Sequence, residues 1–116
     1  MAGMKNPFSQ KTRKLFIDKY DCGLCGMNQN LELHHILGRV SNSPLNGSPV
    51  CHKCHKKINL SNKEITSKLL ASTLEYLLLR GYILTDKDKR FIGRFKDLYL
   101  SSVLCMELLK WQNIKI

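Results

Sequence analysis

Two C-x2-C pairs, Cys22/Cys25 and Cys51/Cys54, constrain this chain more than any other feature. An x2 spacing lets both thiolates of one tight turn face the same ion, and zinc takes four such ligands tetrahedrally. The 25 residues between the pairs exceed the usual ribbon interval, so another element must be inserted between the knuckles. The bland alternative, four reduced and buried cysteines, leaves the paired spacing to chance. The start of the chain, "MAGMKNPFSQKTRKLF", has no apolar core of a secretory signal. The apolar cluster "LEYLLLRGYIL" is broken by Glu75, Arg80 and Gly81 and is too short to span a bilayer. The expectation is a reducing, cytoplasmic setting, in which paired cysteines bind metal in preference to forming disulfides. Cys105 stands alone beside Met106 and reads as core filler.

The insertion carries the histidines. All four lie between residues 34 and 55, and two are adjacent in "LELHHI". That stretch alternates apolar and polar residues like a strand, and neighbours on a strand point to opposite faces. His34 and His35 therefore cannot serve one purpose. His55 directly follows Cys54, so a metal knuckle would hold its backbone, and Asn59 lies one helical turn further on. Imidazoles with oxygen donors and open positions suit a catalytic divalent ion, whereas closed thiolate sets suit structure. Each residue also has a plainer reading. His34 can be a core histidine with a backbone partner, His35 a phosphate contact without catalysis, and Asn46 a turn residue.

Charge narrows the partner. Nineteen Lys and Arg against nine Asp and Glu give a net charge of +10, a field that attracts polyanions, nucleic acid first among them. A solvated basic surface is the competing reading. A membrane surface is disfavoured, because no single amphipathic helix gathers the lysines on one face. Arg39, Lys53, Lys56 and Lys57 flank the histidines as phosphate clamps or as a solvated rim, and His52 reads as an exposed knuckle residue or phosphate contact.

Along the chain, residues 9–20 read as a short helix capped by Ser9, residues 21–26 as the first knuckle and residues 31–36 as a strand. "GRVSNSPLNGSP" is a loop dense in turn formers, and "VCHKCHKKINL" is the second knuckle running into a helix. From Asn62, a capping residue, the spacing predicts a helix with Ile65, Leu69, Leu70, Leu74, Leu77 and Leu78 on its apolar face, ended by Gly81. A second helix, capped by Thr85 or Asp86, would bury Phe91, Phe95, Leu98, Val103, Met106 and Leu109. The expected division is a metal-rich module over residues 1–62 and a helical segment over 63–116. The latter serves for core packing and for homodimerisation through its wide apolar stripes.

"LELHHI…NGSPVCHKCHKKIN" resembles the HNH (ββα-metal) endonucleases, in the subgroup with two C-x2-C zinc knuckles around the catalytic strand. The resemblance covers residues 9–62 and joins three His/Asn positions to four cysteines in order. It implies a small α+β fold: a ββα-metal core framed by a four-cysteine zinc site, here followed by two α-helices. It implies that His34 ligates the catalytic ion, that His35 is the general base, that Asn46 holds the loop and orients the base, and that His55 is a further ligand. Asn59 stands where many members have another histidine. The loop lacks the glycine pair common in the family, and the first ligand is His where many have Asp. The implied cofactors are structural Zn²⁺ and a catalytic Mg²⁺ or Mn²⁺, with Ni²⁺ or Zn²⁺ as alternatives favoured by histidine ligands.

The expected function is metal-dependent hydrolysis of DNA phosphodiester bonds, in the setting of a phage or mobile element. Its rivals are a zinc-ribbon nucleic-acid-binding module without catalysis and an adaptor docked on a DNA-processing complex.

Overall fold

The computed structural model describes residues 8–16, 21–28, 31–58 and 62–114, the side chain of Lys57 excepted. Within them the chain is a small α+β fold of one two-stranded antiparallel sheet and six α-helices. Helix α1 (Gln10–Leu15) begins where the Ser9 hydroxyl accepts from the Thr12 amide at 3.1 Å. It is shorter than the predicted 9–20 helix, whose last residues, 17–20, lie outside the described ones.

Strand β1 (Leu31–His35) pairs with β2 (Gly47–Cys51), Leu31 opposite Cys51 and His35 opposite Gly47. β2 is buried along its length, although Pro49 has no N–H to give and Gly47 no side chain to pack. Its free carbonyls are taken from outside the sheet. The Gly23 amide donates to Pro49 O at 2.9 Å, and the Thr73 hydroxyl donates to Gly47 O at 2.6 Å. The first knuckle and helix α3 (Lys63–Leu79) thus satisfy backbone groups that would otherwise be buried without partners. The Gly23 contact is tight, since a Cβ there would lie 2.8 Å from Ser48 Oγ.

Helix α2 (His52–Lys57) follows β2 without a break, and its N-cap is Cys51, whose sulfur accepts from the Cys54 amide at 3.4 Å. Helix α3 starts at Asn62, whose side chain accepts from the Ile65 amide. It ends as the sequence predicts, with Gly81 left-handed at φ +85° and its amide on Leu78 O. Leu69, Leu70, Leu74, Leu77 and Leu78 are buried as expected, and Ile65 is half-buried.

The rest departs from the predicted single second helix. Three short helices follow, α4 (Asp86–Arg94), α5 (Lys96–Leu100) and α6 (Val103–Trp111). The chain leaves helical geometry at Phe95 (ψ 31°) and again at Ser102, whose hydroxyl caps α6 by accepting from the Cys105 amide. Each break rotates the apolar face. Phe91, Ile92, Tyr99, Cys105, Leu108 and Leu109 are buried, whereas Val103 and Met106, predicted for the core, are 75% and 45% exposed.

One hydrophobic cluster joins the two halves, running from Ile36, Leu45 and Val50 through α3 to Tyr99, Cys105 and Leu109. Burying each such leucine contributes about 1.5–3 kcal/mol. Burial also pushes the Cys105 thiol up, which keeps it a neutral apolar filler. Among the described residues no helix is long and apolar enough to cross a membrane.

Candidate metal centre

The two knuckles meet. Ligand atoms of Cys22, Cys25, Cys51 and Cys54 all lie within 4.8 Å of one another, and Cys25 and Cys51 sulfurs are 3.6 Å apart. No two are joined as a disulfide. Zinc–sulfur bonds of about 2.3 Å in a tetrahedron give sulfur–sulfur edges of about 3.8 Å, so the spacing is compatible with a thiolate metal site. Amide hydrogens of Leu24 and Cys54 point at the sulfurs of Cys22 and Cys51, each at 3.4 Å.

The electrostatics are compatible with a cation. Burial opposes ionisation of Cys22, yet the amides of Cys25, Cys51 and Leu24 and the Cys54 thiol together hold it below the usual thiol range. Burial and the neighbouring Cys51, Cys25 and Cys22 sulfurs push Cys54 the other way. One negative charge is therefore favoured and the next is opposed, which is the state a bound divalent ion relieves. These four residues form a potential metal site consistent with structural zinc.

The strand between the knuckles separates its two histidines as the period of 2 requires. His34 turns toward α2, where its ring meets that of His55 edge-on with centroids 4.6 Å apart. Burial first, then the neighbouring His55 and His35, pull the His34 pKa down to about 4, so its ring is neutral at physiological pH. Its Nε2 is buried with no hydrogen-bond partner among the described residues. A neutral imidazole with an unused, buried nitrogen beside a second imidazole is a fitting donor set for a cation.

His35 lies on the other side. Its ring stacks on Phe8 at 3.9 Å between centroids, and its Nε2–H donates to Asn42 Oδ1 at 3.0 Å. That donation leaves the lone pair on Nδ1. The loop holding Asn42 is fixed from within by Asn46, which is completely buried. Its side-chain amide donates to Gly38 O (2.9 Å) and Ser41 O (2.8 Å), and its Oδ1 accepts from the Leu37 amide (2.9 Å). The Asn46 carbonyl accepts from the Ile36 amide at 2.7 Å, just beyond His35. The Asn46 side chain thus holds the loop by its main-chain groups, while the His35 ring gives its hydrogen bond to Asn42.

A second tether lies outside what the sequence predicts. The Ser43 hydroxyl donates to Asp88 Oδ1 at 2.6 Å, and the other oxygen of that buried carboxylate accepts from the Tyr82 hydroxyl and the Thr85 amide. Helix α4 thereby anchors the loop. Its only sequence signal is the Thr85-x-x-Asp88 capping box. Among the remaining candidates, Arg39, Lys53 and Lys56 are exposed, the Lys57 side chain is not described, and Asn59 lies outside the described residues.

The Asn46 arrangement sets a sharp expectation. Asn46→Ala leaves two carbonyls and one amide without their partner, and thermal denaturation should show a loss of about 2–4 kcal/mol. Asn46→Asp should be at least as damaging, because it aims an oxygen at the Gly38 and Ser41 carbonyls. A melting temperature unchanged in both variants would contradict the tether. Compared with protein-family models, with curated proteins and with solved structures, the chain finds no match.

Proposed function

We propose that this protein is a metal-dependent HNH (ββα-metal) endonuclease that hydrolyses DNA phosphodiester bonds. One observation carries the reading. A single strand presents His34 to His55 on one face and a separately held His35 on the other. This is the division of labour that metal-assisted hydrolysis needs.

The order β1–loop–β2–α2, with candidate ligands on β1 and α2, supports the ββα-metal assignment. His34 and His55 would hold one divalent ion, Mg²⁺ or Mn²⁺ in the first instance, with the remaining position left to Asn59 or water. When bound, that ion would supply Lewis-acid stabilisation of charge developing on the phosphate and its leaving oxygen. His35 Nδ1 would take the proton of the attacking water. Asn42 fixes the tautomer for that task, and the Phe8 ring covers one face of the imidazole. The net charge of +10, with Arg39, Lys53 and Lys56 exposed, supports a polyanionic substrate.

Two classes of metal should separate on titration. Purified protein should keep about one zinc per chain, and it should bind Mn²⁺ weakly in addition. His34→Ala should abolish the Mn²⁺ isotherm and leave the zinc content and melting temperature nearly unchanged. Loss of folding with no change in Mn²⁺ binding would make His34 a core residue instead. Wild type that shifts DNA on a gel without cutting it would favour the zinc-ribbon binding module. Protein that neither binds nor cuts DNA would favour the adaptor.

We also propose a second copy of the chain as the occupant of the outer face of α6. Val103, Leu104, Met106 and Trp111 are exposed there around Glu107 and Lys110. An acid and a base three residues apart pair reciprocally when the helix docks antiparallel on its own copy about a two-fold axis. Light scattering should give twice the chain mass, and Trp111→Glu should return the monomer. A wild-type monomer at high micromolar concentration would rule this out.

A further inference from the structure

β1 carries one acidic side chain, Glu32, two residues before His34 and so on the same face. Its Oε1 lies 3.3 Å from His55 Nδ1 and 3.3 Å from His52 Nδ1. Helix α2 places those histidines three residues apart, on the side it turns to the strand. They are not equivalent. The His52 side chain is 62% exposed, whereas His55 is less exposed and meets the His34 ring.

An imidazole that donates Nδ1–H to a carboxylate must carry its lone pair on Nε2. The free side chain adopts either tautomer, so a fixed acceptor at Nδ1 decides which nitrogen is open to a cation. Carboxylates behind ligating histidines act in this way, and their loss typically lowers metal affinity about 10–100-fold.

We propose that Glu32 is a positioning residue for the second ion. It holds His55 in the Nδ1–H tautomer and fixes its ring, so that His55 Nε2 is presented beside the unpartnered Nε2 of His34. His52 braces the same oxygen from the solvent side and is not a ligand. This rests on the reading of His34 and His55 as ligands of a divalent ion. It adds a residue and an atom assignment that the cysteine and histidine spacing does not contain.

A role limited to tying α2 to β1 would affect stability alone, so the test reads tautomers and affinity. The zinc-loaded full chain, without added Mn²⁺, is studied at alkaline pH by long-range ¹H–¹⁵N correlation of its histidine rings. Wild type should show His55 protonated on Nδ1. Glu32→Ala should bring in the Nε2–H form and weaken Mn²⁺ binding by about 10–100-fold. Glu32→Gln, which keeps an acceptor, should restore part of both. His52→Ala should keep the Nδ1–H form of His55 and weaken Mn²⁺ binding much less than Glu32→Ala does. The proposal is overturned if wild-type His55 is protonated on Nε2, or if Mn²⁺ binds wild type and Glu32→Ala equally. Failure of wild type itself to bind Mn²⁺ would overturn the two-histidine site, and Glu32's role with it. Equal binding to both proteins would remove Glu32 alone.

Discussion

Serine in place of Cys22, Cys51 or Cys54, or removal of zinc by a strong chelator, should unfold the knuckle half of the protein. All three sulfurs belong to the same buried cluster as Val50, Leu69 and Leu70. A structural zinc contributes about 10–16 kcal/mol of apparent binding free energy in small zinc modules, comparable with or larger than the roughly 5–15 kcal/mol that stabilises a whole domain. Losing one ligand therefore removes a large share of the stability. Metal analysis should find about one zinc per chain in wild type and much less in the variants. Circular dichroism should show the cooperative melt lost or moved down by tens of degrees. Cys105→Ala is the matched control, because that thiol is equally buried yet stands outside the group of four sulfurs, and a small cavity there costs on the order of 1–2 kcal/mol. If the three knuckle variants all melt like Cys105→Ala, the cysteines are core filler and the zinc assignment fails.

His35→Ala should have the largest effect on chemistry. Removing a positioned general base typically costs about 10²–10⁴ in rate, or about 3–5 kcal/mol of transition-state stabilisation. The loss should fall on the single-turnover rate and not on metal binding, since the His35 ring points away from the His34–His55 pair. The fold should tolerate the change, for the ring is only partly buried and its hydrogen bond is to a loop side chain. Asn42→Ala should lower the rate less, because it frees the tautomer without deleting the base. If His35→Ala instead abolishes Mn²⁺ binding, the two histidines have exchanged roles.

Local chemistry made much of this legible in the sequence. The caps at Ser9, Asn62 and Thr85, the strand at 31–35 and the glycine stop at 81 each depend on residues within a few positions. The cysteine quartet was legible because x2 spacing forces proximity within each knuckle and the metal hypothesis supplies it between them. The helix breaks at Phe95 and Ser102 were hidden for a physical reason. Phe91, Phe95, Leu98, Val103 and Met106 keep near-helical spacing across both breaks, and periodicity alone does not register an interruption of one or two residues. Only Ser102, a capping residue followed three positions later by buried Cys105, carried a signal.

The polar supports of the site were the least legible. Asn42 lies seven residues from His35, Glu32 lies 23 from His55, and Asp88 lies 45 from Ser43. Such pairs depend on how the loop and the later helices fold back, and no local propensity encodes that. Glu32 left one trace, since strand alternation puts it on the His34 face, and Asp88 left another through its capping box.

DNA hydrolysis by a histidine base beside a divalent ion is the central claim. The direct test is supercoiled plasmid incubated with zinc-loaded protein and Mn²⁺ or Mg²⁺, in parallel with chelator and with His35→Ala. Wild type should convert the plasmid to relaxed or linear product only with the added ion, and His35→Ala should leave it supercoiled while still binding Mn²⁺. An intact plasmid with folded, zinc-loaded wild type under every ion, or cleavage that survives His35→Ala, would contradict it.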